Sequence, residues 1–201
     1  MAEPRVHVID DDEDARESLA FLISVADLPV DTYPSAAAFL AVACDAAGVV
    51  VTDVRMPEMD GLELVRRLAS LGATVPVIVM TGHGDVLLAV EAMKAGVRDF
   101  ILKPYDDTVM LGAIREALAR DVEDRMRNDQ RQAYLERIGN LTPRERDVLD
   151  GLVVGKANKV IARDLDISHR TVEIYRAHVF AKMQARSLSE LVRMAIVAGV
   201  T

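Results

Sequence analysis

The chain predicts a flavodoxin-like α/β fold, a five-stranded parallel sheet, joined by a helical linker to an all-α domain of four helices. Three observations predict it. Short apolar runs alternate strictly with amphipathic helical patterns from residue 1 to about 118. A charge-rich stretch without Pro or Gly then runs up to Gly139. From Leu141 onward every periodic segment is helical.

Strands are expected at Arg5–Ile9, Val30–Thr32, Val49–Thr52, Val77–Met80 and Asp99–Leu102. Their short aliphatic runs suit strands buried on both faces. Between them lie amphipathic segments at Ala15–Val25, Ala36–Ala43, Leu62–Leu71 and Val86–Ala95, and a fifth from Thr108 onward. Ser35 reads as an N-cap of the second helix and Gly96 as the stop of the fourth.

In the charged stretch, Arg120, Arg125, Arg127, Arg131 and Arg137 interleave with Asp121, Glu123, Asp124, Asp129 and Glu136. This reads as a solvated helical linker continuing the fifth helix. A seam of Leu111, Ile114, Leu118, Val122 and Met126 leaves room for a partner helix but is short for a coiled coil.

In the tail, Thr142-Pro143-Arg144-Glu145 is a capping box with proline at the first helical position, and Ser187-Leu188-Ser189-Glu190 repeats the device. Ser168 caps a helix reaching about Met183. Asn158–Leu165, Asp166-Ile167-Ser168 and the segment from Thr171 read as helix, tight turn, helix. Asp166 stands where the left-handed turn usually takes Gly. Ile161, Leu165, Ile167, Val172, Val179 and Met183 supply the apolar contacts that fix the interhelix angle.

Composition bounds the function. Apolar residues make up 51% of 201, enough for a sizeable core, and Trp is absent. The single cysteine, Cys44, excludes an intramolecular disulfide framework and suits a reducing compartment. No signal peptide is apparent and no apolar run approaches the ~20 residues of a membrane span, so a cytoplasmic location without membrane contact is expected. From Leu141 onward ten Lys/Arg against seven Asp/Glu leave +3, while residues 1–140 carry fourteen against twenty-five, leaving −11. An acidic front and a mildly basic tail point to two domains with different partners.

Asp10 and Asp11 follow the first strand, Asp53 the third and Lys103 the fifth, so the topology can gather them at one end of the sheet. Three carboxylates together imply a divalent cation, Mg²⁺ or Mn²⁺, bound through oxygen. The lysine implies a further anion, most simply a phosphoryl group on an aspartate. Thr81 follows the fourth strand and is placed to bond a phosphoryl oxygen. Singly, the acids read as helix-start or turn residues and Lys103 as surface charge; their joint placement beyond separate strands does not. The Lys103–Pro104 peptide is open to either isomer.

The runs Ile9-Asp10-Asp11-Asp12, Asp53-Val54-Arg55-Met56-Pro57-Glu58-Met59-Asp60-Gly61, Met80-Thr81-Gly82-His83 and Lys103-Pro104 resemble a response-regulator receiver domain over residues 4–120. That resemblance implies that a sensor histidine kinase phosphorylates Asp53. It implies that Asp10, Asp11, Asp53 and the Arg55 carbonyl hold the metal, and that Thr81 and Lys103 bind the phosphoryl oxygens. Phe100 matches the family's switch aromatic, with an ordinary core residue as the alternative. Asp12 reads as a helix-start acid. Arg55 and His83, each two residues beyond a site residue, are read as tuning phosphoryl lifetime. Lys94, Arg98, Asp99 and Glu116 lie on the face where such domains dimerise, with solvated surface charge as the alternative.

The run from Leu141 to Met183 resembles the LuxR-type helix-turn-helix, and the whole chain resembles the FixJ-type members of the FixJ/NarL response regulators. This implies a homodimer formed on phosphorylation, double-stranded promoter DNA and RNA polymerase as partners, and transcriptional regulation. Lys159, Arg170, Thr171, Glu173, Ile174, Arg176, Ala177 and Lys182 are the candidate DNA contacts. Glu173, Ile174 and Ala177 are expected to face the groove, and Arg176 to be structural or to contact phosphate. The expected division is a receiver over residues 1–120, a helical linker over 121–139 and the DNA-binding domain over 140–201. No enzyme beyond self-phosphorylation and dephosphorylation is expected. The alternative is a phosphorylation-independent DNA-binding regulator whose receiver serves only to dimerise. An aspartyl phosphatase lacks a residue placed to activate water, and a tail that binds RNA or protein is a further competing reading.

Overall fold

A computed structural model of the protein describes residues 3–43, 46–82 and 86–200, the side chains of 86–89 excepted. Cys44 and His83 lie outside the described residues. The chain divides into two compact units, Met1–Asp124 and Arg125–Thr201. The first contains β1 (Arg5–Ile9), α1 (Glu13–Val25), β2 (Val30–Tyr33), α2 (Ala36–Leu40), β3 (Gly48–Asp53), α3 (Gly61–Ser70), β4 (Val77–Thr81), α4 (Val86–Ala95) and β5 (Asp99–Leu102). One helix, α5 (Asp107–Gly139), carries the chain across the division.

The five strands pair in parallel in the order β2-β1-β3-β4-β5. The order reverses between β1 and β3, which opens a crevice at the strands' carboxyl ends. β3 is buried along its whole length. Its side chains alternate between two cores, as a period of two requires. Val49 and Val51 join Val6, Val8, Ile78 and Ile114 on one face, while Val50 joins Ile9, Phe39, Leu64 and Val79 on the other.

The elements follow the expected order, with local differences. α2 stops at Leu40 rather than Ala43, where the backbone tightens and the Val42 amide donates to the Phe39 carbonyl at 3.0 Å. Ser35 caps it by accepting from the Ala38 amide, and Gly96 follows α4 at φ +91°. The Lys103–Pro104 peptide is cis. Asp121, which reads in sequence as one more solvated linker charge, is 4% exposed and accepts from the Gly48 amide at 3.1 Å. Gly48 stands at φ +114°, and a Cβ there would fall 2.0 Å from the Arg5 carbonyl. Only glycine fits this entry to β3.

The second unit contains the end of α5 with α6 (Pro143–Val153), α7 (Asn158–Asp164), α8 (His169–Met183) and α9 (Leu188–Ala198). Val148, Leu149, Ile161, Val172, Val179, Met183 and Leu191 form its core, joined by Ile138 from α5. The capping box at Thr142 and Glu145 forms in both directions. At α9 only half of the device forms as expected. Ser187 accepts from the Glu190 amide, but the Glu190 carboxylate reaches one residue further back, to the Arg186 amide at 2.8 Å. Asp166 adopts φ 54° between α7 and α8, the left-handed turn expected of it.

His7 on β1 is 5% exposed. Its Nε2 is 3.2 Å from the Ala47 carbonyl and its Nδ1 3.4 Å from the Tyr33 hydroxyl, with Phe39 completing a ring cluster. Burial lowers its pKa from the ordinary 6.5, and the Ala47 carbonyl opposes the shift only in part. Below that value the unfolded imidazole takes up a proton that the folded one resists. His7 therefore contributes stability that is complete above about pH 6.5 and declines as the pH falls toward its folded pKa. Urea unfolding of the first unit should show a midpoint that drops between about pH 7.5 and 5.5, and His7→Gln should flatten that drop. An unchanged slope in the variant would remove His7 as its source.

Candidate functional site

The sheet's carboxyl edge assembles the first site. Asp10 follows β1, Asp53 ends β3, Thr81 ends β4 and Lys103 follows β5. Parallel register aligns these ends, and the ladder continues past them: the Val54 amide donates to the Met80 carbonyl at 2.8 Å and the Lys103 amide to the Thr81 carbonyl at 2.7 Å. Asp10, Asp53 and Thr81 are all buried.

The Lys103 ammonium joins two carboxylates. Its Nζ is 2.7 Å from Asp53 Oδ1 and 3.0 Å from Asp10 Oδ2. Burial alone would lower the lysine's pKa, but hydrogen bonds to Asp53 and then Asp10 outweigh burial and the net shift is upward. The second oxygens are also engaged: Asp53 Oδ2 accepts from the Arg55 amide at 2.6 Å and Asp10 Oδ1 from the Asp12 amide at 3.0 Å. One ammonium against two buried carboxylates leaves the cluster a net negative charge. Its oxygen donors match the preference of Mg²⁺ or Mn²⁺ for hard ligands.

Hydrogen bonds from Lys103 join two of the three carboxylates, those of Asp10 and Asp53. Asp11 is exposed, and among the described residues no three His, Cys, Asp or Glu lie close enough to hold a metal. Asp12 caps α1 by accepting from the Ala15 amide, the helix-start role its position suggests. Phe100 is half-buried against the core on the α3 side of the sheet.

Two supporting residues carry weaker sequence signals. Arg16 donates to the Asp10 carbonyl at 2.7 Å and so fixes the acidic turn, a partner that its helical position alone does not single out. Gly61 lets α3 start against β3, since a Cβ there would fall 2.4 Å from the Asp53 carbonyl. The Met59-Asp60-Gly61 run carried that signal, and Asp60 caps α3 through the Glu63 amide.

The second site is the α7–α8 pair. Ser168 caps α8 by accepting from the Thr171 amide, and its hydroxyl meets the Thr171 hydroxyl at 2.8 Å. Arg170, Glu173, Ile174 and Ala177 share one exposed face at helical spacing, and Lys159 on α7 is also exposed. Arg176 and Lys182 are engaged inside the unit. Arg176 donates to Asn158 Oδ1 at 3.1 Å and lies 5.5 Å over the Phe180 ring. Lys182 bonds Glu145 Oε2 at 2.6 Å and the Asn140 carbonyl at 3.2 Å. In the sequence Glu145 has the signature of a helix cap alone, although it is also the buried partner of Lys182.

The four residues assigned to a dimer face are exposed. Within the chain Arg98 pairs with Glu116 at 3.7 Å, Arg120 pairs with Glu116 at 2.7 Å, and Asp99 accepts from the Phe100 amide. Exposed pairs of this kind add little stability.

Residues 6–115 match the response regulator receiver domain model, and residues 139–195 match that of the bacterial regulatory proteins of the luxR family. The chain is 57% identical to the transcriptional regulatory protein FixJ of Azorhizobium caulinodans over 97% of its own length and 93% of that protein. Among solved structures it is similar to the response regulator StyR, with TM-score 0.86, 36% identity and coverage of 97% of this chain and 99% of that one. It is also similar to full-length FixJ from B. japonicum, with TM-score 0.60, 45% identity and complete coverage of both chains.

The shared ammonium predicts a measurable asymmetry. Lys103→Met should destabilise the first unit by roughly 2 kcal/mol, less than for a fully buried pair because the Lys103 side chain is 29% exposed. Adding Asp10→Asn should recover part of that loss. Purely additive effects in urea unfolding would separate Lys103 from the carboxylates energetically.

Proposed function

The chain belongs to the FixJ-type response regulators, transcriptional regulators that pair a receiver with a LuxR-family DNA-binding domain, and we propose that Asp53 is its phosphoacceptor. The carrying observation is the ammonium of Lys103 held 2.7 Å from Asp53 at the sheet's carboxyl edge. An oxygen of Asp53 attacks phosphorus, the bond from phosphorus to the donor breaks, and an acyl phosphate forms. The donor is a sensor histidine kinase, the partner that the receiver family implies. Lys103 and the Thr81 hydroxyl hold the phosphoryl oxygens after transfer.

Receiver domains typically bind Mg²⁺. Here Asp10, Asp11, Asp53 and the Arg55 carbonyl would hold Mg²⁺ or Mn²⁺, which when bound neutralises charge on the transferring oxygens. Two buried, incompletely neutralised carboxylates support this assignment. Arg55, exposed beside Asp53, tunes access of water to the acyl phosphate. Thr81 and Phe100 then shift the receiver toward an active form that dimerises through the face carrying Lys94, Arg98, Asp99 and Glu116. A near-complete inversion of such an equilibrium needs about 5.5 kcal/mol of preference for the active form.

The output is binding to double-stranded promoter DNA and recruitment of RNA polymerase. α8 docks in the major groove through Glu173, Ile174 and Ala177, with Lys159, Arg170 and Thr171 at the phosphates. The exposed face shared by Arg170, Glu173, Ile174 and Ala177 supports this role. The receiver is assigned to residues 1–120, the linker to 121–139 and the DNA-binding domain to 140–201.

Incubation with acetyl phosphate and Mg²⁺ should label the wild type, and Asp53→Asn should abolish labelling. An unlabelled wild type would leave the receiver as a dimerisation module alone. Binding of the full chain to duplex DNA should weaken steeply with salt, and Arg170→Ala should lower the log–log salt slope by about 0.9. A slope indifferent to Arg170 would take it off the phosphate backbone.

A further inference from the structure

Glu145 stands in the first turn of α6, with its side chain 4% exposed. Oε2 accepts from the Thr142 amide at 2.8 Å and from Lys182 Nζ at 2.6 Å. His178 Nδ1 lies 3.4 Å from Oε1. The same Lys182 ammonium donates to the Asn140 carbonyl at 3.2 Å. One residue further on, Arg137 Nη1 donates to the Met183 carbonyl at 3.1 Å.

These bonds converge on one place, the last turn of α8. The terminal carbonyls of a helix have no partner within it, and cations near that end are favoured by the helix dipole. Arg137 supplies both an outside donor and a positive charge. Lys182 spends its ammonium on a buried carboxylate and a backbone carbonyl. Drawing it away to a DNA phosphate would leave Glu145 buried without its cation, a costly state. The hydrogen bond from Lys182 and the bond from the Thr142 amide hold the Glu145 pKa down to about 2, so the carboxylate stays charged throughout the physiological range.

We propose that Arg137, the Asn140 carbonyl, Glu145 and Lys182 form a positioning clamp that sets the recognition helix from the last turn of α5, and that Lys182 is a positioning residue rather than a DNA contact. The clamp rests on the DNA-binding reading of α8. Two of its four members, Arg137 and Asn140, lie at or just beyond the end of α5, and the other two join α6 to α8. A change in the pitch of that last turn is therefore delivered to the carboxyl end of α8 through two backbone carbonyls. Arg170, Glu173, Ile174 and Ala177, nearer its amino end, are left free to meet DNA.

The test uses the full chain, a duplex selected from random sequence by the wild type, and amide hydrogen exchange without DNA. Lys182→Met and Arg137→Gln should each speed exchange in the last two turns of α8 and weaken binding roughly tenfold. Both should leave the salt slope unchanged, and Lys182→Arg, which keeps the pair with Glu145, should restore exchange and affinity. A fall in slope of about 0.9 in Lys182→Met with exchange unchanged overturns the clamp and makes Lys182 a phosphate contact. Unchanged exchange in Arg137→Gln likewise overturns the link to α5. If the wild type selects no duplex, the DNA-binding reading fails, while the exchange data still decide whether the clamp exists. Glu145→Gln, which keeps a capping acceptor but loses the charge, repeats the exchange measurement should Lys182→Met unfold.

Discussion

One ammonium placed between two buried carboxylates governs the first unit. Asp10 and Asp53 leave adjacent strands at the point where strand order reverses, and Lys103 arrives from the sheet's edge strand to meet both. Without it, two like charges would stand in a poorly solvated crevice. With it the site stays short of neutrality, an arrangement suited to exchanging one set of charged partners for another. The flanking devices serve the same end: Arg16 pins the acidic turn and Gly61 brings α3 against β3.

The second unit uses buried charge differently. Glu145 gains nothing chemically reactive from its burial; it ties a helix start to a helix end. Both units thus place a Lys–carboxylate contact at a junction of elements. In the first, the carboxylates meet the crevice and its prospective ligands. In the second, the carboxylate is closed off by its own fold, with 4% of its side chain exposed.

Most of this architecture was legible in the sequence. Strand positions follow from runs such as Val49–Thr52, because a strand buried on both faces has no polar alternation to obscure it. Asp10, Asp53 and Lys103 were legible as a group because each ends a strand, and parallel strands end on one side. Asp11 differs from Asp10 and Asp53 in exposure: adjacent residues at a strand end project differently, and composition does not reveal which of Asp10 and Asp11 is buried. Asp121 was hidden for another reason. Its partner is a backbone amide 73 positions earlier, and backbone donors leave no mark on the side-chain pattern. Lys182 looked like a free cation on a DNA-facing helix because its partner Glu145 already had a sufficient local explanation as a cap. Asp166, by contrast, was readable in full, since its left-handed turn is a purely local matter.

The bond between Asp121 and Gly48 bears on modularity. The entry to the central strand draws its acceptor from beyond residue 120, so a receiver excised there would carry an orphaned buried amide at the start of β3. A fusion that exchanges output domains on this scaffold must therefore splice after Asp121. Any lineage that recombines receivers of this design with new effectors inherits the same constraint, and the opening turns of the connecting helix travel with the sensor rather than with the effector.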